Sequence, residues 1–275
     1  LEKIRNNLVT RILKTLKQIK EKDFEKFKGL HEEFGTILKE GLQSDWSNKE
    51  KIAELLLFES SNKKLGEKTT LSDYVESMSD DQNEIFYLAG ENREQISNSP
   101  YLEKYKDSGQ EVLLMTDPID DFVIPQLMEF KGKKLKAVNK GEQEEEKDLK
   151  EEKKNYEGFI GYAKDLLDGI KEVKLTSRLK ESAAVIVGDE HTMSPHIEEM
   201  MRRMGQPVPE HENVLELNPD HPLVKKVQKL HAENPDDDKT RAITHLLHDQ
   251  AILLSGAKIK DPASFAKRMN DLLSY

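Results

Sequence analysis

His245 and His248 stand three residues apart, with Asp249 beside the second. On a helix that spacing turns both imidazoles to one face, where they could hold zinc. No third ligand lies nearby in sequence and the neighbouring residues are apolar, so the pair reads as packed or solvent-edge histidines. His31-Glu32-Glu33 lacks the second histidine of a zincin helix. Gly66-Glu67-Lys68-Thr69 comes nearest to a phosphate loop, but it lacks the first glycine that lets backbone N–H groups wrap a phosphate. It reads as a turn. The chain has no Gly-x-Ser-x-Gly elbow, no Gly-x-Gly-x-x-Gly loop and no cysteine, which removes thiolate chemistry and disulfides together. Adjacent carboxylates such as Asp120-Asp121 could transfer protons, but in so charged a chain they are usually surface groups. No catalytic, cofactor or metal residue emerges.

Apolar side chains carry more information. Four of the eight methionines, Met193, Met200, Met201 and Met204, lie in or beside one short helical stretch with Ile197. Thioethers adapt to irregular partners, so such a face suits promiscuous binding. Periodicity alone favours an ordinary core-facing stripe. Near the end of the chain, Ile243, Leu246, Leu247, Ile252, Leu253 and Leu254 cover much of one helix, and Phe265, Met269, Leu272 and Leu273 follow on another. These helices must bury more than one face, against a symmetry mate or against the chain's own core.

The elements that position these residues follow from periodicity. Leu1, Ile4, Leu8, Ile12, Leu16 and Ile19 recur at helical spacing, then Phe24 to Leu38, then Ile52 to Phe58, so the first sixty residues read as packed helices. Leu1 falls in mid-pattern with no capping residue before it and no initiator Met, as expected of a fragment of something longer. Two apolar runs, 84–88 and 111–115, flank a helical stretch closed by Gly109, the pattern of a βαβ unit with a parallel pair. A helix follows over 120–130. Between Asn139 and Asn155 there are seven acidic and five basic residues with Leu149 the only apolar side chain, the plainest boundary in the chain. Beyond it come a helix from Tyr156 to about Ile170, strands at 173–175 and 183–187, and a helix capped by Ser194-Pro195 and closed by Gly205. After Pro209 the pattern predicts three closing helices.

The 275 residues include 53 acidic and 43 basic side chains, for a net charge of -10, and 36% hydrophobic residues. That length allows one large or two ordinary domains. The ionic surface suits a multi-lobed helical protein, and the negative charge makes nucleic acid a poor partner. No run is long and apolar enough to span a membrane, and no signal-peptide pattern is present.

Several strings in one order carry a resemblance. They are Phe34-Gly35 with Leu38-Lys39, Leu55-Leu56-Leu57-Phe58, Leu71-Ser72-Asp73-Tyr74, Gly109-Gln110-Glu111-Val112-Leu113 with Asp117-Pro118-Ile119-Asp120, Leu217-Asn218-Pro219 with His221-Pro222-Leu223, and Asp249-Gln250-Ala251 followed by Asp261-Pro262 and Phe265. The chain resembles the second half of the ninety-kilodalton heat-shock chaperones of the bacterial HtpG type. The resemblance implies an α/β and α+β fold. Residues 1–138 would be the later part of a middle domain, with helices over 1–62 and a small α/β/α subdomain over 63–138. Residues 139–155 would connect it to a mixed α/β C-terminal dimerisation domain over 156–275.

The same resemblance implies a cytoplasmic homodimer that holds partly folded client proteins and works with other chaperones. ATP and magnesium would belong to the full-length parent, an ATPase, and not to this chain. Asp121 and Phe122 fall on the family's acidic–aromatic client surface, although many bacterial members carry Trp where Phe122 stands. Met193, Ile197, Met200, Met201 and Met204 fall on its amphipathic client-facing helix, with Met193 and Ile197 expected to face the client. Ile243, Leu246, Leu247, Leu253, Leu254, Phe265, Met269, Leu272 and Leu273 fall on its dimer helices. The chain also ends without the acidic tail of eukaryotic cytosolic members. A structural dimerisation scaffold that binds folded partners is the alternative.

Overall fold

The computed structural model describes residues 2–141, 143, 148–190, 192–209 and 211–274. It divides into two compact units, residues 1–93 with 110–136 and residues 94–109 with 137–275.

The first unit opens with α1 (Glu2–Lys22) and α2 (Phe24–Ser44). The Asp23 carboxylate between them accepts the Lys26 N–H at 3.0 Å and so starts the second helix afresh. A 3-10 turn over Trp46–Asn48 leads into α3 (Lys49–Ala53). The expectation of sixty helical residues fails at its end, because Leu57–Ser60 is a strand, β1. A continuous run such as Leu55-Leu56-Leu57-Phe58 suits a fully buried strand as well as a helix, and periodicity cannot separate the two. β2 (Thr69–Thr70) pairs with β1, and α4 (Leu71–Ser77) begins in a capping box between Thr70 and Asp73. β3 (Glu84–Ala89) is followed by α5 (Arg93–Ser97) and α6 (Glu103–Ser108). Gly109 ends α6 at a φ of 72°, a left-handed cap that a side chain would strain.

β4 (Leu113–Met115) lies parallel to β3, with Tyr87 opposite Leu113, as the βαβ pattern predicts. Next come α7 (Asp120–Leu127), β5 (Glu129–Phe130) and β6 (Lys133–Ala137), and the sheet runs β2-β1-β4-β3-β6-β5. Its core gathers Phe27, Leu42, Leu56, Leu71, Tyr74, Ile85 and Ile124.

Residues 94–109, the crossover between β3 and β4, cluster with the second unit. The Glu103 carboxylate accepts the backbone N–H groups of Lys180, Glu181 and Ser182 and the Ser182 hydroxyl. Tyr101 donates its hydroxyl to the Ile186 carbonyl. In the charged stretch, Lys140 bridges to Gly188, while Glu142 and residues 144–147 lie outside the described residues. α8 (Lys150–Leu166) starts earlier than its apolar pattern. β7 (Ile170–Leu175), β8 (Ala184–Val187), α9 (Pro195–Arg203), β9 (Asn213–Leu217), α10 (Pro222–Glu233), α11 (Asp238–Leu254) and α12 (Pro262–Leu273) complete the unit.

β9 corrects the expectation that only helices follow Pro209. It is the central strand, parallel to β7 and antiparallel to β8. Glu216 conceals it, since a carboxylate inside an apolar run reads as solvent-facing. In the fold that carboxylate is buried against Arg178, with Lys174 at 3.2 Å. The core packs Phe159, Ala163, Leu175, Leu215 and Leu217 with Val227, Ile243 and Leu247. Among the described residues, no helix is long and apolar enough to cross a membrane.

Candidate interaction surfaces

α7 presents one aromatic side chain from a firmly seated base. Val123, Ile124 and Leu127 face the core, which turns Phe122 outward at 48% exposure with Asp121 beside it, half-buried. Asp120, at 2% exposure, meets the buried Lys39 ammonium of α2 at 2.7 Å. Neither Asp120 oxygen has an aligned hydrogen-bond donor, so charge holds the pair. Lys39 also lies 3.4 Å from Asp117, whose carboxylate accepts the Thr36 hydroxyl and the Ile119 N–H. Burial pushes the Asp120 carboxyl up to about 6 against the opposing pull of Lys39. Burial also acts to raise Asp117, but Lys39 and its hydrogen bonds hold it below the usual carboxylate range. His31 lies in the same region. Its Nε2 accepts the Leu57 N–H at 3.0 Å, and burial, then Lys39, lowers its pKa to about 4.

The Lys39–Asp120 pair escaped the sequence reading because 81 residues separate its partners. The available signal was positional: Phe27, Gly35, Lys39 and Leu42 share the buried face of α2.

α9 is seated differently. Ser194 caps it by accepting the Ile197 N–H, and Pro195 occupies its first position. Ile197 is its one buried residue, at 2% exposure. That corrects the expectation of an exposed Ile197: the helix needs an apolar anchor, and this is the side chain it turns inward. Met193, Met200 and Met201 are half-buried and Met204 is exposed. Glu199 meets Lys258 at 2.6 Å and Arg203 at 3.1 Å. Beneath the helix lies an open cavity of about 880 Å³, lined by Met193 and Pro195 on one side and by His245, His248 and Ile252 of α11 on another. Burial lowers the pKa of both histidines. Among the described residues, no group of three His, Cys, Asp or Glu side chains is placed to hold a metal.

The terminal helices split the nine residues assigned to self-association. Ile243 and Leu247 are buried in the unit's own core, so they stabilise the unit and are not surface groups. Leu253, Leu254, Met269 and Leu273 are exposed, and Leu246, Phe265 and Leu272 are half-buried. α12 buries no residue at all. Asp249 of α11 accepts from Arg268 of α12 and ties the two together.

The two units are each a mixed helix–sheet fold, and the family model described as Hsp90 protein matches residues 1–275. The chain belongs to that family. Its relatives include proteins named Chaperone protein HtpG from Geobacter metallireducens (39% identical, covering 99% of this chain), Magnetococcus marinus (41%, 99%) and Mycobacterium leprae (39%, 98%). The chain spans 43–44% of the length of these relatives.

Proposed function

We propose that this chain is the self-associating, client-holding part of a cytoplasmic, ATP-driven chaperone. The observation that carries the reading is α12, an amphipathic helix that buries no residue and leaves Met269 and Leu273 exposed. Leu253, Leu254, Met269 and Leu273, helped by Phe265, Leu246 and Leu272, would pack against the same helices of a second copy, an isologous contact. Phe122 with Asp121, and Met193, Met200, Met201 and Met204, would hold exposed segments of partly folded proteins. Weak contacts repeated across a dimer gain strength through effective concentration. Ile197 would join that surface only when α9 lifts from its seat. Other chaperones would be further partners; nucleic acid and membranes would not.

ATP and magnesium belong in this reading to the parent protein. At the Gly66 turn, Lys68, the residue that would reach a phosphate, lies 3.2 Å from Glu59.

Burial of Ile197 favours one competing reading, a dimerisation scaffold whose partners dock through folded surfaces. Titration with native ribonuclease A and with the same protein reduced and carbamidomethylated separates the two. The chaperone reading expects binding of the unfolded form alone. Sedimentation at micromolar concentration should show a dimer, and a monomer there would remove the assignment of the terminal helices.

A further inference from the structure

α12 is lightly attached. It buries none of its residues, and half-buried Leu272 packs against the core of the second unit. Its polar tie is Arg268, whose guanidinium donates to the Asp249 carboxylate of α11. Both side chains are largely withdrawn from water, with 25% and 11% left exposed. The Nε of Arg268 is buried without an acceptor, so the pair rests on one end of the guanidinium and a new charge beside it would tip the balance.

Two imidazoles stand at that spot. His245 lies one turn before Asp249 on the same side of α11, and His248 lies three residues after His245. Both are half-buried, and both line the open cavity together with Asp249 and Arg268, so solvent protons reach them. The charges that act on them come from four places. α11 itself supplies Arg241 and the occupied Asp249, and α12 supplies Arg268. The connection between these helices supplies Lys260, and the turn between α8 and β7 supplies Asp168, which is exposed. Asp261 also lines the cavity, but it caps α12 by accepting from Ser264. On the far side, Glu198 and Arg202 of α9 pair at 2.9 Å, the Tyr101 hydroxyl is spent on the Ile186 carbonyl, and Lys140, His211 and Glu212 complete the titratable lining among the described residues. Burial, then Arg268, holds His245 below the usual imidazole range; burial does the same to His248 against the pull of Asp249.

We propose that His245 and His248 form a proton-operated latch on α12. With both imidazoles neutral, Arg268 stays on Asp249 and the helix stays seated. A proton on either one sets a cation beside Arg268 and competes for Asp249, and α12 lets go. The sign follows from the lowered pKa values: the contribution of the histidines to the seated state is complete above 6.5 and is lost as pH falls below it. Because α12 carries Met269 and Leu273, acid also weakens pairing of two copies, a consequence that rests on the self-association reading.

The experiment measures amide exchange in 262–273, corrected for its intrinsic dependence on pH, at about pH 7.5 and about pH 5.5, with sedimentation under the same conditions. Protection of α12 should fall severalfold in acid while β7, β8 and β9 keep theirs. His245→Gln combined with His248→Gln should abolish the change, and Arg268→Gln should leave α12 poorly protected at both pH values. Circular dichroism checks that the variants fold, and the comparison on the unaltered chain stands without them. Equal protection of α12 at the two pH values, or an undiminished fall in the double variant, would overturn the latch. If the chain is a monomer at about pH 7.5 and α12 still loosens in acid, the self-association reading falls and the latch stands. A dimer that persists after α12 has loosened would overturn its regulation by acid.

Discussion

α7 and α9 are helices of nearly equal length, each assigned to the same kind of work, yet they are attached in opposite ways. α7 sinks Asp120, Val123, Ile124 and Leu127 and leaves Phe122 outside, above a buried ion pair. α9 sinks Ile197 alone and lies over an open cavity. The first is a fixed platform whose contact group is always on display. The second keeps its largest branched apolar group stored, so that offering it costs the loss of a seat. A helix can therefore be a rigid platform or an adjustable one, and the difference lies in how many side chains it commits to its own core.

The largest expected effect is at the base of the platform. Lys39→Met leaves the Asp120 carboxylate buried and unpaired, which should cost about 3–5 kcal/mol in denaturant melts at pH 8. The cost should shrink at pH 5. Asp120's folded pKa is raised from 3.8 to about 6, so its contribution to stability is complete below 3.8 and is lost as pH rises through 6. Without the lysine this preference for acid grows. A penalty independent of pH would mean that Asp120 is solvated rather than buried.

Second in size is a matched pair of truncations. Ile124→Ala should lower global stability by about 2–5 kcal/mol, the usual range for a deleted core side chain. Ile197→Ala removes an equally buried group, but its cost is capped by the free energy of releasing α9, so it should appear as faster amide exchange in 195–203 with little change in the global midpoint. Equal shifts in the two global midpoints would make α9 as integral as α7.

His31 gives a smaller, pH-dependent effect. Its folded pKa is depressed from 6.5 to about 4, so its contribution is complete above 6.5 and lost as pH falls towards 4. Asp120 works in the opposite direction over much of that window, while Asp117 adds to the acid loss. His31→Gln, which keeps an acceptor for the Leu57 N–H, should flatten the fall in stability of the first unit below pH 6.5. An unchanged slope would show that the imidazole does not titrate in the fold. Least of all, Phe122→Ala should change stability by no more than about 0.5 kcal/mol, as expected of an exposed side chain.

The sequence disclosed elements wherever a local rule applied. The parallel β3–β4 pair, the Ser194-Pro195 helix start and the Gly109 cap could all be read within a few residues. It failed where two distant segments had to meet before either made sense. β9 looked like loop because Glu216 needs Arg178 to be tolerable inside, and β1 looked helical because a buried strand and a buried helix share one composition. The candidate surfaces were legible as residue types and not as exposures. The methionine helix was found, but which of its side chains anchors it depends on the core beneath. Ile243 and Leu247 fit the apolar pattern of their helix as well as Leu253 and Leu254 do, and only the fold sorts them inward and outward.

The pairing of β8 with β9 has a further consequence. Val187 lies opposite Val214, and the strands are antiparallel neighbours in chain order. α9 therefore lies within the connection of a hairpin, between Val187 at the end of β8 and Asn213 at the start of β9, and is a guest there. Guests of this kind can be exchanged without disturbing the host. Replacing 188–212 with a tight Asn-Gly turn should leave the three-stranded sheet intact, and another amphipathic helix could stand in the place of α9.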